Sequence, residues 1–338
     1  MKNTSLISAF TFLMLTSCIS QVPVPKKYLT GEAQGTYYAI TYFDEQDRDM
    51  QHEVDSMFLV FDHSVSLWDM NSLINRINRN DTTVIPDDFF IQNFMLASDI
   101  SKKTEGYFDF TIGPLVKMWG FGLQERVEVT PEMVQKKLKL VDYRNVHLLD
   151  GRIVKDNPEI LFDFNAIAQG YSVDYLAQLF LSKGIDRFII DVGGEIYASK
   201  TKPDGSPWVV GVEHPAKDKN DLRSIQQLVK LTNRGLATSG SYRNYYEENG
   251  KRYSHIIDVK TGYPVTHNLL SVTVLAEKTA IADGYCTAFL AMGVEKSLQM
   301  LEQLDGIEAY FIFSTDTNTF ETFATDGFLK IMEVDSFE

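Results

Sequence analysis

The chain has 338 residues, 44% of them hydrophobic and 12% aromatic, which supplies a substantial core and excludes disorder along its whole length. With 32 Lys and Arg against 46 Asp and Glu, the net charge of −14 disfavours nucleic acid or an anionic membrane surface as a broad electrostatic partner. Two cysteines and six histidines, scattered without CxxC or HxxxH spacing, support neither a disulfide framework nor a structural zinc.

The chain opens with Lys2 and an apolar run from Leu6 to Leu15, too short to span a bilayer and suited to a secretory signal. Leu15-Thr16-Ser17-Cys18 then has the form of a bacterial lipobox, so residues 1–17 are expected to be removed and Cys18 to carry lipid. That places the protein on a bacterial membrane, with its domain in the periplasm or otherwise outside the cytoplasm. Residues 18–30, with Pro23 and Pro25, read as a tether, and residues 31–338 as one domain.

Gly35 to Phe43 has the β-branched and aromatic content of a strand. Val54, Met57, Phe58 and Phe61 predict a helix over 47–62, and Phe90, Phe94, Ala97 and Ile100 another over 87–103. Thr130-Pro131-Glu132 is a helix start, and Asp150-Gly151 a hairpin turn between two short strands. A helix from about Ala166 to Lys183 stops at Gly184 and leads into the strand Phe188 to Asp191. Strands are then expected at 208–213, 225–231, 254–258 and 269–276, one apolar helix at 279–292, and a closing hairpin over 308–332. Strands outnumber helices and join by tight turns. The pattern fits an α+β fold of mostly antiparallel sheets with packed helices, in a single compact domain, rather than a doubly wound parallel sheet.

No P-loop occurs, and Gly120-Phe121-Gly122 lacks the third glycine of a dinucleotide fingerprint. Three glycine-punctuated polar segments stand out instead. Asp163 to Tyr171 is a strand-to-helix junction that either cradles an anion or simply packs. Asp191-Val192-Gly193-Gly194-Glu195 either forms a bulge or lets a ligand approach the backbone. Ala237-Thr238-Ser239-Gly240-Ser241-Tyr242, followed by His255-Ile256-Ile257-Asp258, gathers hydroxyls, a histidine and a carboxylate; His255 is either structural or functional. On the apolar helix, Asp283 and Thr287 stand one turn apart on one face. Asp283 either hydrogen-bonds a neighbouring turn or holds a hard cation such as Mg²⁺.

These residues resemble the ApbE-type FAD:protein FMN transferase family. The resemblance runs over Gly35-Thr36-Tyr37-Tyr38, Asn71 to Asn78, Thr104 to Asp109, Gly113-Pro114-Leu115 and Met118 to Phe121. It continues through Ala166 to Gly170, Asp191 to Gly194, Ala237 to Tyr242, His255 to Asp258 and Ala282 to Thr287. It implies an ApbE-like (T-fold-like) domain that moves FMN from FAD to a Ser or Thr hydroxyl of an acceptor protein, with release of AMP. Mg²⁺ would be held by Asp283, Thr287 and the carbonyl of Ala166, with His255 and Asp283 in catalysis. Gly35, Thr36, Asp109, Gln169, Gly193, Gly194, Thr238, Ser239, Gly240 and His255 are the expected FAD contacts, and Tyr37 or Trp68 the candidates for stacking on the flavin. Gln169 stands where the family has Lys, and Val259 where it has Pro. The implied partner is an electron-transfer membrane protein carrying the flavinylation site. Two other functions stay open: a metal-dependent FAD pyrophosphatase, and a lipid-anchored flavin-binding protein without turnover.

Overall fold

Eight strands pair into one antiparallel sheet whose two faces are covered unequally. The computed structural model describes residues 23–121, 128–215, 224–241, 245–248, 251–315 and 319–333. The chain starts with β1 (Lys26–Ala33) and β2 (Thr36–Phe43), followed by α1 (Gln51–Val65), α2 (Leu73–Asn78), α3 (Asp88–Lys103), α4 (Gly113–Trp119) and α5 (Pro131–Leu138). The hairpin β3 (Val146–Leu149) and β4 (Arg152–Lys155) precedes α6 (Ala168–Ser182), β5 (Arg187–Val192), β6 (Glu195–Ser199), β7 (Trp208–Glu213), β8 (Ile225–Leu231) and β9 (Arg234–Gly240). Then come β10 (Tyr245–Glu248), β11 (Lys251–Ser254), β12 (Ile257–Asp258), β13 (Tyr263–Pro264) and β14 (Leu269–Ala276). The chain closes with α7 (Thr279–Met292), α8 (Val294–Leu301), β15 (Glu308–Ser314), β16 (Phe320–Ala324) and α9 (Asp326–Leu329).

The main sheet has the order β1-β2-β5-β6-β9-β14-β15-β16, so its strands enter it in chain order. Each neighbouring pair is antiparallel, as the α+β reading expects. Successive residues of a strand point to opposite faces, and β14 shows the consequence: Val274 and Ala276 join the larger core while Leu275 joins the smaller one. The larger core lies between the sheet and helices α1, α3, α6 and α7, with Ile40, Ile190, Val272 and Phe289 fully buried. Over the other face, Trp208, Val210, Val229 and Leu231 of the β7–β8 hairpin cover Ile196, Leu236 and Leu275, which are paired in register across three strands.

Two glycines set the position of α7. A Cβ on Gly170 of α6 would lie 2.7 Å from the Thr279 carbonyl oxygen, and one on Gly235 of β9 would lie 2.4 Å from the Thr279 nitrogen. Helix and sheet therefore approach α7 more closely than any side chain would allow. The N-cap residue Lys278 makes no side-chain cap. Asp174 on α6 supplies it instead, accepting from the backbone N–H of Thr279 at 2.7 Å and of Ala280 at 3.0 Å.

Three boundaries depart from the sequence expectation. The tether expected over 18–30 ends before residue 26, because β1 pairs with β2 from Lys26 opposite Phe43 to Ala33 opposite Thr36, and Leu29 is buried. The domain thus begins ahead of residue 31. The strand expected over 254–258 bends at His255 and divides into β11 and β12. The closing hairpin over 308–332 gives way to α9 after β16, where Phe328 stacks on Tyr310 with ring centroids 5.5 Å apart. Cys18 and the leader lie outside the described residues. Among the described residues no helix is long and apolar enough to cross a membrane.

Candidate functional site

A cavity of about 950 Å³ opens where the start of α6, the β5–β6 turn, the end of β9 and one face of α7 meet. This is at the upper end of the ~300–1,000 Å³ range of small-molecule pockets. Asp163, Asn165, Ala166 and Gln169 form one wall; Asp191, Gly193, Gly194 and Glu195 a second; Thr238, Ser239 and Gly240 a third. Asp283 and Thr287 of α7 face it from behind, and Phe121, His255 and Ile257 border it on the remaining side. His255 lies edge-on to Phe121, with ring centroids 6.5 Å apart.

Gly193 and Gly194 are the two-residue turn joining β5 to β6, since Val192 pairs with Glu195, and their φ values of 62° and 114° require glycine. The paired glycines make this turn rather than the bulge that the sequence also allowed. The turn is held on both sides. Gly194 N donates to Asp191 Oδ1 at 2.9 Å, and the Tyr37 hydroxyl donates to Asp191 Oδ2 at 3.2 Å. Gln169 Nε2 donates to the Val192 carbonyl at 2.7 Å and to Glu195 Oε2 at 2.5 Å. A Cβ on Gly193 would come within 2.3 Å of that amide and 2.7 Å of the Thr36 methyl. Backbone, not side chain, is therefore what the turn presents to the cavity.

The walls are acidic. Asp283 is buried and accepts from Gly170 N at 3.0 Å; burial, with the nearby Asp174 charge, raises its carboxyl above the usual range. Burial and the Asp283 charge raise Glu195 as well. Burial pushes Asp163 up to about 6, against the pull of a hydrogen bond from Asn165 N. Burial also raises Asp109, but that carboxylate is committed to its own loop: it accepts from Thr111 N at 2.8 Å, from the Thr111 hydroxyl at 2.7 Å and from Tyr143 N at 2.9 Å. Among the described residues that line the cavity there is neither Lys nor Arg. Asp283, Thr287 and Ala166 border it together, and their carboxylate, hydroxyl and backbone carbonyl are hard-oxygen donors of the kind that suits a divalent ion completed by water or phosphate. Among the described residues no cluster of three or more His, Cys, Asp or Glu offers an all-side-chain metal cage.

A model of the ApbE family matches residues 34–311, most of the chain. This chain belongs to the ApbE family. Among its relatives, the FAD:protein FMN transferase of Vibrio cholerae is 32% identical over 332 residues, covering 96% of this chain and 97% of that one. The FAD:protein FMN transferase of Escherichia coli K12 is 30% identical and covers 95% of each chain. The solved flavin transferase ApbE from Vibrio cholerae superposes with a TM-score of 0.81 at 30% identity, covering 91% of this chain and all of the other. The flavinyl transferase ApbE from Pseudomonas stutzeri gives 0.81 as well, also at 30% identity, over 93% and 98% of the two chains.

In this ApbE domain the residues expected at the site fall into three groups. Ala166, Gly193, Gly194, Thr238, Ser239, Gly240, His255, Asp283 and Thr287 border the one cavity, although they come from five separate stretches of sequence. Asp109 and Gln169 border it too, but with their polar groups tied to the protein as described above. Gly35 and Thr36, expected as FAD contacts, stand outside it. Gln34 and Gly35, with φ of 54° and 74°, are the β1–β2 turn, and Thr36 packs beneath Gly193. Of the two aromatic candidates Tyr37 lines the cavity and Trp68 does not; Trp68 is 59% exposed in the loop after α1. The sequence places Asp163 and Glu195 in two of the segments that stand out but assigns neither a role, and it gives no sign of the capping Asp174. For Glu195 the available signal was its place at a strand start directly after two glycines.

Proposed function

We propose that this protein transfers the FMN half of FAD to a Ser or Thr hydroxyl of an acceptor protein and releases AMP. One observation carries the reading beyond the relatives' names: an acidic cavity bordered by Asp283, Thr287 and Ala166 and, among its described lining residues, by neither Lys nor Arg. A diphosphate entering such a cavity meets the carboxylates of Asp163, Asp191, Glu195 and Asp283 and no Lys or Arg among the described lining residues, so a divalent cation must enter with it. Asp283, Thr287 and the Ala166 carbonyl would hold that ion, Mg²⁺ by donor chemistry, and when bound it neutralises the diphosphate.

The chain's own residues do the rest. The Gly193–Gly194 turn lets backbone approach the nucleotide, and Gln169 holds that turn through Val192 and Glu195. Tyr37, fixed by Asp191, presents its ring to the cavity as a platform for the isoalloxazine. His255, which borders the cavity, would take the proton from the acceptor hydroxyl as the new bond to the FMN phosphorus forms and the bond to AMP breaks. The lipobox at Cys18 supports attachment to a membrane outside the cytoplasm, which suits an electron-transfer membrane protein as acceptor; the net charge speaks against nucleic acid.

The test is to incubate the protein with FAD, Mg²⁺ and a Ser- or Thr-bearing acceptor, following AMP release and the acceptor's mass. AMP with an FMN-sized mass gain supports transfer. AMP with free FMN makes the protein a pyrophosphatase, and neither product makes it a flavin binder.

A further inference from the structure

A second cavity of about 430 Å³ lies beside the first and shares Tyr107 with it. β12 runs between them: Ile257 borders the large cavity and Asp258 the small one. The flavin reading makes no use of this second space. Its floor is neutral, because His267 donates from Nε2 to the Leu290 carbonyl at 2.9 Å and accepts at Nδ1 from Leu269 N at 3.3 Å, which fixes an uncharged tautomer. Asp258 is committed to its own turn, accepting from Lys260 N at 2.8 Å and from the Thr261 hydroxyl at 3.1 Å. Two cations stand over the shared ring. Lys296 lines the small cavity and donates to the Tyr107 hydroxyl at 2.7 Å; its ammonium lies 5.1 Å from the ring centroid and that of Lys260 5.0 Å.

We propose that this second cavity docks the acceptor polypeptide, as an extended segment with an acidic side chain close to the hydroxyl that receives FMN. The proposal rests on the transferase reading. Transfer to a protein, unlike hydrolysis, needs an entrance contiguous with the nucleotide site, and the shared Tyr107 ring provides that continuity. The volume, in the range of ~300–1,000 Å³ small-ligand pockets, takes a short run of chain and not a folded surface. Charge selects its composition. On a chain of net charge −14, an acidic segment gains from Lys296, which lines the small cavity, and from Lys260 at the same Tyr107 ring, so the acceptor's carboxylate sets against them while its hydroxyl reaches past Tyr107.

Two Ser/Thr acceptors distinguish the outcomes, one with Asp beside the reactive hydroxyl and one with Lys in its place. Each is assayed with the full chain, FAD and Mg²⁺ for flavinylation, and FAD binding is measured separately by flavin fluorescence. The Asp acceptor should show the higher kcat/KM. Lys296→Glu should raise its KM about tenfold and reverse the preference, Lys296→Arg should restore it, and FAD affinity should not change. Thr266→Trp, which fills the cavity from an exposed position, should raise the acceptor KM in the same way. Equal use of both acceptors, or an unaltered acceptor KM in these variants, overturns the proposal. Weakened FAD binding in Lys296→Glu overturns it too, by giving the cavity to the nucleotide. AMP and free FMN from the wild type with no acceptor labelled would sink the transferase reading itself, and this proposal with it.

Discussion

Asp174→Asn tests how the helix that carries Asp283 is held in place. The Asp174 carboxylate accepts from the first two N–H groups of α7 at 2.7 and 3.0 Å. Burial pushes its pKa from 3.8 up to about 6, although both those hydrogen bonds pull the other way. The shift is about two units, or about 3 kcal/mol at ~1.4 kcal/mol per unit. An acid whose folded pKa exceeds its unfolded value favours the fold when protonated. Its contribution is therefore fully present below about pH 3.8 and is lost as the pH rises through about 6. Asparagine does not titrate. Between about pH 4 and about pH 7, wild-type stability should fall by about 2 kcal/mol relative to the variant, the remainder of the shift lying below that window. The variant also turns an amide N–H toward one of the two backbone donors, so the start of α7 loosens and turnover falls. Urea unfolding of both proteins at stepped pH measures the first effect, and AMP release the second. Stability curves that run parallel across this window would refute the account of a charged cap held in the core.

Gly170→Ala should destabilise the fold by about 1–3 kcal/mol, because the new methyl meets backbone of Thr279 and Ala280 at 2.7–2.8 Å; an unchanged melting temperature would mean that the two helices separate freely. Asp283→Ala should abolish Mg²⁺-dependent turnover, whereas Thr287→Ala should only raise the Mg²⁺ concentration required, as shown by titrating the ion against initial rate; a wild-type metal optimum in Asp283→Ala would move the ion elsewhere. His255→Ala should lower turnover by about 10²–10⁴-fold with little change in FAD affinity, and matched losses of stability and rate would make the histidine structural.

Where a segment's burial follows its own pattern, the sequence was enough to read it. β14 and α7 fall where expected because each is a nearly continuous apolar run, and the exception within it, Asp283, is the residue that faces the cavity. Residues 26–30 of β1 read as tether because the strand lies at the sheet edge: Lys26, Tyr28 and Thr30 face water, and the prolines before it mask the alternation. β9 hid for the opposite reason. It lies between β6 and β14 under the first turn of α7, and the contact at Gly235 selects small residues over the β-branched ones by which strands are recognised. Asp174 acts through the α7 amides, far away in sequence, so nothing local announces it; Glu195 acts through the distant Gln169, and its place after two glycines is the one local signal it carries. At Gly35 the sequence is ambiguous, because the β1–β2 turn needs a glycine whether or not a ligand is near.

The order in which strands enter the sheet has a consequence for how the protein comes to work. Since the strands enter the sheet in chain order, a growing polypeptide can extend it from β1 onward, with one long wait between β2 and β5, where Tyr38 pairs with Val192. The cavity does not form in the same gradual way. Its walls reach from Tyr37 to Thr287, and the α7 wall is among the last pieces made, so a ribosome must deliver most of the chain before any flavin nucleotide has a place to sit. A nascent chain can thus be largely folded and still inert.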